Sequence, residues 1–157
     1  MITRANVQDA KQVYEIIRKH AAKSVVLPRP LASIYEHIRE FFVYRIKDRI
    51  LGIVALHIVW EDMAEVRSLV VDSRHRKKGI GRKLIQQTLE EAAKLNVPNV
   101  FALTREEAFF KKAGFKRITK DKLPQKVWND CINCPLFPDC DEVPVIFNLK
   151  KQKLKKS

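Results

Sequence analysis

Twenty residues constrain this chain more than any others: Glu65 to Leu84, EVRSLVVDSRHRKKGIGRKL. The first seven, Glu65-Val66-Arg67-Ser68-Leu69-Val70-Val71, carry enough β-branched and aliphatic residues for a buried strand. From Gly81 onward the period changes. Leu84, Ile85, Thr88, Leu89 and Ala92 recur at three- and four-residue spacing, as on one face of a helix. Between strand and helix lies Arg76-Lys77-Lys78-Gly79-Ile80-Gly81. Successive amides in such a loop can point into one concavity, and the helix behind it adds its positive end. Glycine lets the backbone approach a ligand closely, and Arg76, Lys77, Lys78 and Arg82 surround the turn with positive charge. A pyrophosphate held by main chain and framed by cations is the ligand this arrangement suits. The loop matches neither the dinucleotide fingerprint GxGxxG nor the Walker pattern GxxxxGK[ST].

The flanking chain reads as a mixed α/β sheet. Ile2 to Ala5 forms a short strand, and Asn6 caps a helix with Asp9 in its first turn. Val7, Ala10, Val13, Ile17 and Ala21 mark the inner face of that helix. Ser24 to Pro30, with prolines on both sides of Arg29, breaks it. A second helix follows, with Leu31, Ile34, Ile38 and Phe41 inward. Phe42 to Ile46 and Ile50 to Trp60 form a hairpin about Lys47-Asp48-Arg49, and Glu61-Asp62 turns into the Glu65 strand. The long helix reaches Leu95 and stops at Asn96, with Pro98 beyond it. Asn99 to Thr104 is the next strand, so strand, helix and strand make a right-handed crossover with a parallel pair. A ligand then belongs near the carboxyl end of the Val71 strand. Arg105 to Ala113 is a short helix closed by Gly114. Phe115 to Ile118 starts a strand, and Val143 to Leu149 returns beside it.

At 157 residues and 46% apolar content the chain is long enough for one domain with a real core, residues 1–149, ahead of a basic tail over 150–157. The longest apolar run, Ile50 to Trp60, is 11 residues and contains Gly52 and His57, against the ~20 that a spanning helix needs. MITRANVQDA lacks the apolar centre of a signal peptide, so no membrane association and a cytoplasmic location are expected. The net charge of +13 suits an anionic cofactor, an acidic substrate or nucleic acid. The tail Lys150 to Ser157 reads as a solvated terminus, so nucleic acid is not the expected partner. A homodimer is left open.

The string Arg76-x-x-Gly79-x-Gly81 after an LVVD strand resembles the acetyl-CoA loop of the GNAT family of N-acetyltransferases. That resemblance implies the acyl-CoA N-acyltransferase fold: a mostly antiparallel central sheet with a splayed parallel strand pair and helices on both faces. It implies acetyl-CoA as co-substrate, with loop amides over Arg76, Lys77, Lys78, Gly79, Ile80, Gly81 and Arg82 on the pyrophosphate. Backbone groups of Leu69, Val70 and Val71 would hold the pantetheine arm, one strand amide polarising the thioester carbonyl. It also makes Glu65 the base, in line with Arg67 and Leu69 if the strand is regular. The family's usual acid is a tyrosine four residues before the glycine of the Gly-Phe turn. Phe110 stands there and has no proton to give, so another group or water must serve, or the thiolate leaves unprotonated.

Further segments bring a narrower likeness. Val26-Leu27-Pro28-Arg29, Phe101 to Arg105 and Leu123-Pro124-Gln125-Lys126 resemble the acetyltransferase domain of N-acetylglutamate synthases. Val127 to Pro135 with Cys140-Asp141-Glu142 resembles their short bacterial members. The resemblance implies an amino-acid acceptor, L-glutamate foremost, in arginine biosynthesis, with Arg29, Arg105 and Lys126 as substrate ligands. Arginine suits that task because its planar fork grips a carboxylate through two bonds. The chain has no room for the kinase-like domain through which long synthases sense arginine, so that feedback is not expected. A protein lysine or N-terminal amine as acceptor remains an alternative, as does a non-catalytic acyl-CoA or nucleic-acid binding module.

Cys131, Cys134 and Cys140 are the only cysteines, in a segment over 119–142 that reads as an insertion. Two thiolates at CxxC spacing can chelate zinc, but a structural site wants four ligands. A redox pair and plain reduced thiols stay open beside it, and a metal is not the expected cofactor.

Overall fold

In the computed structural model, residues 1–22, 29–123 and 142–150 are described. Strands are β1 (Ile2–Arg4), β2 (Phe41–Ile46), β3 (Arg49–Trp60), β4 (Met63–Val71), β5 (Asn99–Thr104), β6 (Lys116–Arg117) and β7 (Val143–Asn148). Helices are α1 (Ala10–Ala22), α2 (Leu31–Glu36), α3 (Ile80–Lys94) and α4 (Glu107–Lys112). The strands form one sheet in the order β1-β2-β3-β4-β5-β7-β6. β1 with β2, β2 with β3, β5 with β7 and β6 with β7 pair antiparallel, while β4 and β5 run parallel over Met63↔Asn99, Ala64↔Val100 and Glu65↔Phe101. The mixed, mostly antiparallel sheet read from the sequence is therefore present.

The chain divides into two compact units, Met1–His57 with Val66–Thr88, and Ile58–Glu65 with Leu89–Ser157. β3, β4 and α3 each contribute residues to both. In the first unit, Asn6 and Asp9 form a reciprocal capping box: the Asn6 side chain accepts from Gln8 N and the Asp9 carboxylate from Asn6 N. The first turn is 3-10, and α1 begins only at Ala10. That tighter turn shifts the helical phase, so Val7 is exposed, contrary to the sequence expectation, while Ala10, Val13 and Ile17 are buried. They pack with Ile34, Ile38, Phe41, Val43, Ile53, Ala55 and Val70. Phe41 belongs to β2 rather than to the second helix, which ends at Glu36 and is followed by a 3-10 turn over Ile38–Glu40.

α3 carries the predicted face: Leu84, Ile85, Thr88, Leu89 and Ala92 are all buried. Each large aliphatic side chain there stabilises the fold by about 1.5–3 kcal/mol relative to leaving it exposed. Asn96 adopts a left-handed φ of 60° and ends the helix, as its sequence position indicates.

In the second unit, Val59, Met63, Phe101 and Leu123 form a cluster with Leu103, Ile118 and Ile146 against it. β7 lies between β5 and β6 and is paired with β5 along the whole of Asn99–Thr104. Gly114, at φ 99°, closes α4.

Candidate active site

β4 ends at Val71 and the chain turns at Asp72, whose amide donates to Leu51 O at 2.7 Å. The Asp72 carboxylate accepts from Arg74 N at 2.9 Å and is ringed by Arg49, Arg74 and His75 at 3.4–3.8 Å. The backbone bond from Arg74, then the neighbouring Arg74, Arg49 and His75 side chains, hold its carboxyl below the usual aspartate range against the opposing effect of burial. Asp72 thus fixes the entry to the loop. Lys77 (φ 67°) and Gly79 (φ 80°) are left-handed, an alternation that gathers successive amides to one side. A Cβ at Gly79 would meet nothing within 4 Å, so glycine is required there for its backbone angle and not for space.

The side chain of Ile80 is buried and anchors the loop from beneath, while Arg76, Lys77, Lys78 and Arg82 are exposed around it. The first α3 bond runs from Lys83 N to Gly79 O. The amides of Ile80, Gly81 and Arg82 precede it and have no carbonyl within the helix to donate to. Loop and helix start thus present main-chain donors inside a ring of cations, the arrangement a diphosphate requires.

A second glycine sets this geometry from below. Gly52 of β3 faces α3, and a Cβ there would lie 3.0 Å from Leu84 Cδ1, 3.1 Å from Ile80 Cγ2 and 3.4 Å from Val70 O. The sequence carried the signal, since an isolated glycine inside a strand marks close approach. Gly52→Ala is expected to lower stability by about 1–3 kcal/mol through overpacking. Because Ile80 is the first residue of α3, it should also weaken acetyl-CoA binding severalfold by calorimetry.

Ser68 is left-handed, with φ 55°, in the interior of β4. Such a residue turns the neighbouring peptide units out of the strand's regular alternation. β4 is therefore not regular, and the expectation that Glu65, Arg67 and Leu69 share one face does not carry past Arg67. Arg67, Ser68 and Leu69 are all half-buried, and Val70 is back in the core. Of Leu69, Val70 and Val71, Val70 has only its backbone to present to a ligand. At a regular strand position valine would be favoured over serine. Here Ser68→Val is expected to lower the urea stability by about 1–2 kcal/mol, because a β-branched side chain resists positive φ.

A polar cluster lies elsewhere in the first unit. The Arg29 guanidinium sits 5.1 Å over the Phe41 ring and donates from Nη2 to Ser33 Oγ at 3.3 Å, while its Nη1 is buried with no hydrogen-bond partner among the described residues. Burial, then the charge of Arg67, pull Arg29 below its ordinary range, and Glu40 partly offsets them. The Glu40 carboxylate is bound at 2.7 Å to His57 Nδ1. Burial alone would raise Glu40, but the His57 bond and the charges of His57, His37 and Arg67 outweigh it and hold the carboxyl low. His37 stands edge-on to His57 at 6.2 Å, and its Nδ1 donates to Ser33 O at 2.8 Å. Of this cluster only Arg29 is marked as a site residue by the sequence.

In the second unit Glu65 is buried, in register with Phe101. Arg105 is exposed just beyond β5, where Thr104 Oγ1 accepts from Glu106 N. Phe110 is buried, edge-on to Phe109 and Phe115, with Phe115 against Phe147. The ring at the usual acid position is thus a core residue. Lys126, Cys131, Cys134 and Cys140 lie outside the described residues. Among the described residues no cluster of His, Cys, Asp and Glu could hold a metal, and no helix is long and apolar enough to cross a membrane.

The family model for GNAT acetyltransferases matches residues 10–115, which include both β4 and the loop. The chain belongs to the GNAT acetyltransferase family. It is an acetyl-CoA-dependent N-acetyltransferase. It is 38% identical over 148 residues to an uncharacterized N-acetyltransferase of Chlorobaculum tepidum, covering 94% of this chain and 96% of that one. It is 30% identical over 133 residues to an amino-acid acetyltransferase of Mycobacterium tuberculosis, covering 83% and 76%. Among solved structures, a Mycobacterium tuberculosis protein in complex with CoA and NLQ superposes with a TM-score of 0.83 at 25% identity, over 95% of this chain and 99% of that one. The N-acetylglutamate synthase of Neisseria gonorrhoeae, complexed with coenzyme A and N-acetyl-glutamate, gives 0.87 at 21% identity, over 99% of this chain and 35% of that one, and shows the shared fold.

Proposed function

We propose that this GNAT enzyme transfers the acetyl group of acetyl-CoA to the α-amino group of an amino acid, L-glutamate foremost, in arginine biosynthesis. The observation that carries the reading is Arg29: a half-buried guanidinium, braced by Phe41 and Ser33, whose buried Nη1 has no partner among the described residues. Leaving a buried charged donor unsatisfied costs free energy that a bound carboxylate would recover. The amino-acid acetyltransferase among its relatives supports the same acceptor class.

Loop amides from Lys77 to Arg82 hold the pyrophosphate, and the peptide units turned by Ser68 polarise the thioester carbonyl. Glu65 takes the ammonium proton, directly or through water, so that the neutral amine attacks. Arg29 grips one acceptor carboxylate, with Arg105 and Lys126 as its further cations. No proton comes from Phe110. The thiolate of coenzyme A is a good enough leaving group to depart and be protonated by water.

The test is purified protein with acetyl-CoA and a panel of free amino acids, following thiol release. Preference for glutamate or its amide is the expected result. Indifference to both, or faster acetylation of lysine-bearing or N-terminal peptides, overturns the assignment.

A further inference from the structure

The Arg29 cluster contains a hydrogen-bonded pair that the reaction does not explain. Glu40 is a half-buried carboxylate within electrostatic reach of Arg29 and Arg67, yet its short bond is to neither. Oε2 is taken by His57 Nδ1 at 2.7 Å. His57 in turn stands edge-on to His37, which is tied to Ser33, the same residue whose hydroxyl braces Arg29. Glu40, His37 and Ser33 come from α2 and the turn after it, and His57 from β3. A carboxylate free of His57 would be drawn toward the Arg29 charge it already offsets, because a charge-assisted bond in a poorly solvated site is strong. Arg29 Nη1 has no partner among the described residues.

We propose that His57 is a positioning residue that holds Glu40 away from Arg29, and so keeps the Arg29 fork open for the carboxylate of the acceptor. This rests on the reading of Arg29 as an acceptor ligand. Glu40 then acts at a distance, its negative charge opposing that of an acceptor carboxylate at Arg29. The pair sets selectivity and acceptor affinity, and takes no part in proton transfer.

The experiment is acceptor kinetics on four variants of the full chain, with L-glutamate and L-glutamine as probes and acetyl-CoA saturating. His57→Phe keeps ring volume but cannot donate to Glu40. It should raise acceptor KM roughly tenfold, the scale of one charge-assisted interaction, with kcat little changed. His57→Gln, whose amide still donates, should stay close to wild type. The double variant His57→Phe with Glu40→Gln should return KM to the wild-type range, because no charge is left to invade the site. Glu40→Gln alone should lower KM for glutamate more than for glutamine.

An unchanged KM in His57→Phe overturns the proposal. So does a raised KM that Glu40→Gln fails to rescue, since a packing defect would persist in the double variant. If the wild-type enzyme acetylates neither probe, the acceptor assignment itself has failed, and that result is read before any variant is made.

Discussion

Replacing Glu65 by glutamine is expected to lower kcat by about 10²- to 10⁴-fold, the range over which a positioned general base contributes. Glutamine has nearly the same shape, so the buried position on β4, in register with Phe101, should be retained. Acetyl-CoA affinity, measured by calorimetry, should change less than threefold on the order of binding noise, because the residues proposed to hold the diphosphate are Lys77 to Arg82 and not Glu65. What is lost is a means of making the acceptor amine neutral. Raising the pH should therefore recover part of the variant's activity, since bulk solvent then supplies neutral amine. Glu65→Asp should fall between the two, with a carboxylate displaced by one methylene. A glutamine variant that turns over at the wild-type rate would remove Glu65 from the mechanism, leaving the diphosphate loop untouched.

Much of this was legible in the sequence where the controlling interactions are local. The buried face of α3, the bounds of β5, the Asn6 cap with Asp9 in the first turn, and the stops at Asn96 and Gly114 each follow from residues within one or two turns. Val7 was misplaced for a local reason too. A 3-10 turn changes the angular step, and nothing in Val7-Gln8-Asp9 announces that turn. Two features of the site were not legible. The left-handed Ser68 sits in a sequence, RSLVV, that reads as plain strand, and only its surroundings can force such an angle. The Glu40–His57 pair joins residues 17 apart across two elements, and a single sequence carries no trace of that contact. Its prolines and family likeness mark Arg29 in the sequence, but its orphaned nitrogen and its brace on Phe41 arise from tertiary packing.

The second large effect concerns that arginine, and it separates function from stability. Arg29→Leu should raise acceptor KM by about thirtyfold to a few thousandfold, the equivalent of the 2–5 kcal/mol lost when one partner of a buried charge pair is truncated. Arg29→Lys should also be impaired, since an ammonium keeps the charge but not the two-pronged geometry. Stability should move the other way. In the unliganded protein Arg29 is a charged group pulled from water, near the like charge of Arg67, with one nitrogen unsatisfied. An apolar leucine over Phe41 removes that burden, and the melting temperature of Arg29→Leu should match or exceed wild type. A residue retained only for the fold would show the opposite, a lower melting temperature with KM unchanged. The same reasoning predicts that saturating acceptor with coenzyme A present raises the melting temperature of the wild-type enzyme. The acceptor's share of that rise should vanish in Arg29→Leu, because the ligand no longer finds the guanidinium whose desolvation it relieves.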